Sequence, residues 1–226
     1  MLPVRHVVYF HGFASSPGSS KAQRFAAELA RHGVGFSCPD LNEPAFETLT
    51  VTRMLDQARA AIAQSSGPVA LFGSSLGAFV ALHAADQDLT GKVDRLVLMA
   101  PALDFGGNRL RQLGEHGIDE WRASGRLSVF HYAFNEPRDV HFGLYEDAAR
   151  YDAFAVTLTK PTLVFQGRHD ASVDPAMVER WAATQPSVDL RLLDDDHQLT
   201  ASIETLWGES EEFLGLTNKK SAKPRA

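Results

Sequence analysis

Val69-Ala70-Leu71-Phe72-Gly73-Ser74-Ser75-Leu76-Gly77-Ala78-Phe79-Val80-Ala81-Leu82 is an apolar run, a Gly-x-Ser-x-Gly turn and a second apolar run. The first run has strand length and the second suits a helix. A strand that turns directly into a helix over this pattern forces its central residue, Ser75, out at the tip. Gly73 and Gly77 supply the room, because neither carries a Cβ to collide with strand or helix. The Ser75 hydroxyl then lies near the amino end of the helix, where free N–H groups favour developing negative charge. Glycine and serine also meet in such turns for purely conformational reasons. The meaning of the turn therefore depends on what the rest of the chain supplies.

Upstream, Val7-Val8-Tyr9-Phe10 reads as a buried strand, followed by His11-Gly12-Phe13 and a loop of small residues up to Ser20. Gly12 and Gly18 are too far apart for a phosphate-binding P-loop, and Ser19 rather than lysine follows Gly18. A helix begins near Ser20, with Phe25, Ala26, Leu29 and Ala30 at helical spacing and Gly33 able to cap its end. Residues 34–38 read as a second strand, stopped by Pro39-Asp40-Leu41-Asn42. Residues 50–63 give a helix with Met54, Ala58 and Ile62 on one face.

Downstream of the turn, strands are expected at 93–100, 161–166 and 188–193. Asp174-Pro175 opens a helix as N-cap and first helical residue, and Leu199, Ile203, Leu206 and Trp207 stripe the last one. Strands alternate with helices, so the α/β class follows: a mainly parallel sheet of about six strands with helices on both faces.

Residues 103–151 break the alternation. They show no clear strand but hold Phe105, Trp121, Phe130, Tyr132, Phe134, Phe142 and Tyr145. This stretch is expected as a mostly helical cap insertion over the sheet's carboxyl edge, where ligands bind in such folds. It divides the core into residues 1–102 and 152–217. Residues 218–226 are basic and polar and read as a disordered tail.

The length of 226 residues suits one domain with a full core, and a net charge of -6 gives no basic footprint for nucleic acid or an anionic membrane. No apolar segment is long enough for a membrane span, and Met1-Leu2-Pro3-Val4-Arg5-His6 is not a signal-type start. A single cysteine, Cys38, precludes an intrachain disulfide and suits a reducing cytoplasm; it reads as a buried, inert thiol. No metal or organic cofactor is implied: Cys38 has no cluster of ligands, and no dinucleotide-type turn follows the first strand. Oligomeric state is not legible, since the aromatics of 103–151 can face a partner chain as well as a ligand.

A serine nucleophile needs a base, and the base needs an orienting acid. In this architecture the order along the chain is Ser, acid, His, each in a loop after a strand. Asp170, in Gln166-Gly167-Arg168-His169-Asp170, is the acid candidate. Asp174 is a rival that an N-cap explains, and Asp104 is a second rival after the strand ending at Ala100. Among nine histidines only His197, in Asp194-Asp195-Asp196-His197, has the right order and loop position for the base. The three aspartates before it read as a solvated turn rather than a metal site. The backbone N–H groups of Leu76 and Phe13 are the candidate oxyanion donors, and His11 reads as a structural hydrogen-bonder.

Tyr9-Phe10-His11-Gly12-Phe13, Gly73-Ser74-Ser75-Leu76-Gly77, Gly167-Arg168-His169-Asp170 and Asp196-His197 together resemble the α/β-hydrolase superfamily. The run His11-Gly12-Phe13-Ala14-Ser15-Ser16-Pro17-Gly18-Ser19-Ser20-Lys21-Ala22 and Cys38-Pro39-Asp40-Leu41-Asn42 look more specifically like the YqiA-like small bacterial esterases. The resemblance implies an α/β-hydrolase fold and hydrolysis of short-chain acyl esters or thioesters, with Ser75, Asp170 and His197 as the triad. Acyl transfer and carbon–carbon bond hydrolysis run on the same constellation. A non-catalytic binding module is the contrasting reading. The aromatic insertion points to an apolar acyl or aryl group in the pocket. Arg109, Arg111, Arg122 and Arg126 are candidates for recognising a substrate carboxylate, each with a solvated helix face as its simpler reading.

Overall fold

In a computed structural model of the chain, residues 4–106 and 114–217 are described. The β-branched and aromatic runs form six parallel strands: β1 (His6–Phe10), β2 (Gly35–Ser37), β3 (Val69–Ser74), β4 (Val93–Met99), β7 (Thr162–Gly167) and β8 (Val188–Leu193). Their order in the sheet is β2-β1-β3-β4-β7-β8. The chain leaves β1 for β2 on one side and returns to β3 on the other. That reversal makes a crevice at the carboxyl ends of β1 and β3, where open parallel sheets bind ligands.

Alternation along each strand separates two cores. Val7, Tyr9, Ala70, Phe72, Val97, Met99, Leu163 and Phe165 face one side, under α1 (Ser20–Arg31) and α7 (Ile203–Phe213). Val8, Phe10, Leu71, Leu96, Leu98 and Val164 face the other, under α2 (Val51–Gln64), α3 (Leu76–Asp86) and α6 (Pro175–Ala183). The central strands are buried on both faces, which is why they read as unbroken apolar runs. Thr50 caps α2 by accepting from the Arg53 N–H, and Asp174 caps α6 by accepting from the Ala176 N–H ahead of Pro175.

The insertion between β4 and β7 is helical only in part. Helices α4 (Gly114–Ser124) and α5 (Gly143–Ala148) flank an antiparallel hairpin, β5 (Arg126–His131) and β6 (Glu136–His141), so the expectation of no strand here is corrected. In β5, Leu127, Val129 and His131 alternate toward the protein while Arg126, Ser128 and Phe130 point outward. Pro137 argues against a strand in the sequence, but a two-stranded ribbon consists of edges, where proline is tolerated. Buried Trp121 ties α4 to β6 by donating from Nε1 to the Val140 carbonyl at 3.0 Å. Thr52 at the start of α2 donates from its N–H and Oγ1 to the two oxygens of Asp147 in α5, each at 2.7 Å. The hairpin tip meets the loop after β1, with the Tyr132 N–H donating to the Ala14 carbonyl at 2.9 Å.

The glycines of the turn are required sterically. A Cβ at Gly77 would overlap the Phe10 carbonyl, and one at Gly73 would overlap Gly77 and Ala78 of α3. Neither obstacle is a flexible side chain. Gly77→Ala is therefore expected to lower the thermal midpoint by at least several degrees, the usual cost of overpacking a core. Gly208→Ala in α7 meets nothing within 4 Å and should leave the midpoint unchanged or raise it slightly. Equal midpoints for the two variants, read by differential scanning calorimetry, would contradict the close approach of α3 to β1.

Candidate active site

Ser75 sits between β3 and α3 at φ 54 and ψ -117, a conformation that side-chain-bearing residues rarely adopt. The Ser75 N–H donates to the Met99 carbonyl at 2.9 Å, so β4 holds the turn from outside. The Ser75 carbonyl accepts from the N–H groups of Ala78 and Phe79 and starts the helix. The hydroxyl is left over the carboxyl edge of the sheet.

Asp170 follows β7 and His197 follows β8. His197 Nδ1 lies 2.8 Å from Asp170 Oδ2, and its Nε2 lies 3.1 Å from Ser75 Oγ. The structure thus brings together the three residues singled out in the sequence. The two loops approach closely because the residue closing β7 is Gly167; a Cβ there would press on the carbonyls of Asp195 and Asp196. The Asp170 side chain is fully buried. Burial alone would raise its pKa, but hydrogen bonds from His197, the Val173 N–H and Gln166 outweigh it, and the carboxyl is held below its usual range. Asp170 Oδ1 accepts from the Ser172 and Val173 N–H groups, both at 2.8 Å. Oδ2 accepts from Gln166 Nε2 at 2.9 Å as well as facing His197.

Gln166 is a further residue of the site, one that sequence reasoning misses. Its signal is a polar amide directly after the apolar run Leu163-Val164-Phe165, fully buried in the structure. The three aspartates are not a solvated turn throughout. Asp195 is buried and accepts from the Ser202 and Asp196 N–H groups, both at 2.8 Å. Asp196 accepts from the Gln198 N–H at 2.8 Å, so the run shapes the loop that carries His197. Asp194 pairs with exposed His169 at 2.7 Å. No cluster of three or more His, Cys, Asp or Glu side chains able to hold a metal ion is found among the described residues.

The Phe13 and Leu76 N–H groups donate to no protein acceptor among the described residues. Both residues line a cavity of about 860 Å³ that opens over Ser75. His11 is buried behind this loop. Its Nδ1 lies 2.9 Å from the Gly12 carbonyl, and its Nε2 lies 3.0 Å from the Leu41 nitrogen and 3.3 Å from Asp40 Oδ1. That is a structural role, as read from the sequence. Asp174 is taken up by its N-cap, and Asp104 lines the cavity but is not the carboxylate that meets His197 Nδ1.

Much of the cavity lining is apolar: Phe13, Phe105, Trp121, Leu127, Val129 and Leu144. Of the other insertion aromatics, Phe142 and Tyr145 pack on Trp121, while Phe130 and Phe134 are half exposed on the hairpin. Arg122 is exposed, pairs with Asp119 and lies over the Phe142 ring; Arg126 is exposed and 3.9 Å from Asp139. Neither lines the cavity. Arg109 and Arg111 lie outside the described residues, as does the tail 218–226. Cys38 also lies away from the cavity, and burial, with Asp40 adding to it, pushes its thiol up to about 12. The expectation of a buried Cys38 is corrected: the residue is half-buried. A hydroxyl, an imidazole and a buried carboxylate in this chain, beside two free N–H groups and an apolar cleft, can form and discharge an acyl-enzyme.

Solved structures share the fold. Alpha/beta hydrolase domain-containing protein 10 from mouse superposes with a TM-score of 0.79 at 21% identity, covering 95% of this chain and 92% of that one. Est1E from Butyrivibrio proteoclasticus with bound ferulic acid gives 0.79 at 18%, covering 92% and 87%. A monoacylglycerol lipase from Paleococcus ferrophilus gives 0.74 at 16%, covering 95% and 96%. The architecture is therefore the α/β-hydrolase fold, similar to that of esterases and lipases. No curated protein matches the chain. The family model UPF0227, described as an uncharacterised protein family, matches residues 6–209.

Proposed function

The chain belongs to the UPF0227 family, and on that footing we propose that it is a serine hydrolase cleaving carboxylic esters of short to medium acyl or aryl acids. The observation that carries this reading is the continuous chain Ser75 Oγ, His197, Asp170, at 3.1 and 2.8 Å, opening into the cavity. Ser75 Oγ attacks the acyl carbonyl while His197 Nε2 takes its proton. Asp170 keeps the imidazole in the tautomer that presents Nε2 and balances the charge that forms. The Leu76 and Phe13 N–H groups receive the oxyanion. His197 returns the proton to the leaving oxygen, then activates water to release the acid from Ser75. No step calls on a metal or organic cofactor.

The residues at 103–151 act in this reading as a cap that shapes the acyl side, through Trp121, Leu127, Val129 and Leu144. Thioesters fit the same chemistry, because the acyl half is identical and the thiolate leaves more readily. Among the described residues no helix is long and apolar enough to cross a membrane. The lone Cys38 is what supports placing the protein in a reducing compartment such as the cytoplasm.

A p-nitrophenyl ester series from acetate to palmitate tests the proposal. The enclosed apolar side should give an optimum at short to medium chains, with kcat/KM falling about tenfold or more by palmitate. Rates that rise steadily to palmitate would contradict the cap as the limit of the acyl pocket. No hydrolysis at any length, with thioesters inert as well, would contradict the proposed activity.

A further inference from the structure

We propose that the cavity is divided, and that a polar arm built around Lys21 recognises an anionic oxygen group, a carboxylate or phosphate, on the leaving-group half of the substrate. This rests on the reading of Ser75 as the acyl-carrying nucleophile. Besides its apolar residues, the cavity is lined by Ser15, Ser16, Ser19, Lys21, Gln198 and Thr200. Gln198 directly follows His197, with Thr200 two residues further along the same loop, and the group that receives the proton from His197 Nε2 is the leaving oxygen. The polar lining therefore flanks the leaving group, and the apolar lining is left for the acyl chain.

Lys21 is half-buried in α1, and its Nζ donates to the Gln198 carbonyl at 2.7 Å. An ammonium has three donors. That carbonyl is the one acceptor Lys21 has among the described residues, and it makes no ion pair there. The nearest acids are engaged elsewhere: Asp195 with the Ser202 N–H, Asp196 with the Gln198 N–H, and Asp170 with His197. Burial pushes the Lys21 ammonium down to about 8, against the upward pull of Asp195, Asp196 and Asp170. It is still largely charged near neutral pH. A partly desolvated cation with free donors in a ligand cavity gains most from an anion that arrives with the substrate. Among the described residues it is the sole lysine or arginine on the cavity wall.

The test uses three butanoate esters of similar leaving-group size: 3-carboxyphenyl, 3-phosphonooxyphenyl and the neutral 3-carbamoylphenyl. Wild type should favour at least one anionic ester over the neutral one by about tenfold in kcat/KM, the worth of one charge-assisted hydrogen bond. Which anionic ester is favoured separates carboxylate from phosphate. In Lys21→Met the ratio should fall to about one, and in Lys21→Arg it should persist. A ratio near one in wild type overturns the proposal. So does an unchanged ratio in Lys21→Met with both rates lowered, which is the signature of a lysine that merely tethers Gln198. Should none of the esters turn over, the failure lies with the hydrolase reading. The subsite is then read by calorimetry on Ser75→Ala. Stronger binding of 3-hydroxybenzoate or 3-hydroxyphenyl phosphate than of 3-hydroxybenzamide, abolished by adding Lys21→Met, supports the subsite, and equal binding of all three overturns it.

Discussion

Ser75→Ala will lower kcat/KM for ester hydrolysis by about 10⁴-fold or more while leaving the fold intact. The hydroxyl is the group aligned with a base, at 3.1 Å from His197 Nε2. Without it, the cavity and the Phe13 and Leu76 N–H groups can still bind substrate, but no bond to the acyl carbon forms. The backbone should accept the change. Alanine keeps the Cβ that serine already places at φ 54 and ψ -117 and lacks only the hydroxyl. Thermal unfolding should therefore match wild type within a few degrees. A variant with normal unfolding and undiminished turnover would remove Ser75 from the mechanism.

Asp170→Asn should cost about 10³- to 10⁴-fold in kcat, and the reason lies in the pattern of donors around the carboxylate. Oδ1 faces two backbone N–H groups, those of Ser172 and Val173. An amide in its place must keep its carbonyl oxygen there, because an NH₂ would confront two donors. The NH₂ is then directed at His197 Nδ1 and at Gln166, whose amide must turn over to present Oε1 in place of Nε2. His197 Nδ1 must become the acceptor, and the proton moves to His197 Nε2, which can no longer take the proton of Ser75. The loss should therefore fall on kcat far more than on KM, and KM alone rising would contradict the orienting role. The carboxylate also ties stability to pH. Its pKa is depressed in the fold, so its contribution is present above the unfolded value of about 3.9 and is lost as pH falls through the lower folded value.

The layers and the alignment of the three side chains were legible in the sequence because each rested on a local rule. Continuous apolar runs such as Leu96-Val97-Leu98-Met99 mark strands buried on both faces; Ser75 and Asp170 each follow such a run, and His197 follows the half-buried edge strand Val188–Leu193. The hairpin at 126–141 was not legible, because its inward pattern is only Leu127, Val129 and His131 and its second arm carries Pro137. Its aromatics divide: Phe130 and Phe134 are half exposed, while Tyr132 lines the cavity together with the plainer Leu127 and Val129 of β5. Contacts made by backbone groups leave no trace in residue identity. The Tyr132 N–H on the Ala14 carbonyl, which joins the hairpin to the loop of the proposed oxyanion donors, is such a contact. Lys21 is invisible for a related reason: its partner is the carbonyl of Gln198, far along the chain. Arginines of the insertion drew attention as anion binders, yet Arg122 and Arg126 are engaged with Asp119 and Asp139 on the surface.

The central claim is that Ser75 is a nucleophile activated by its surroundings. It is tested most directly by mass spectrometry of the intact protein after treatment with a fluorophosphonate, followed by peptide mapping. The folded wild type should take up one equivalent, on Ser75. Ser75→Ala and the urea-unfolded chain should take up none. No adduct on the folded protein, or an adduct on Ser74 instead, would contradict the account.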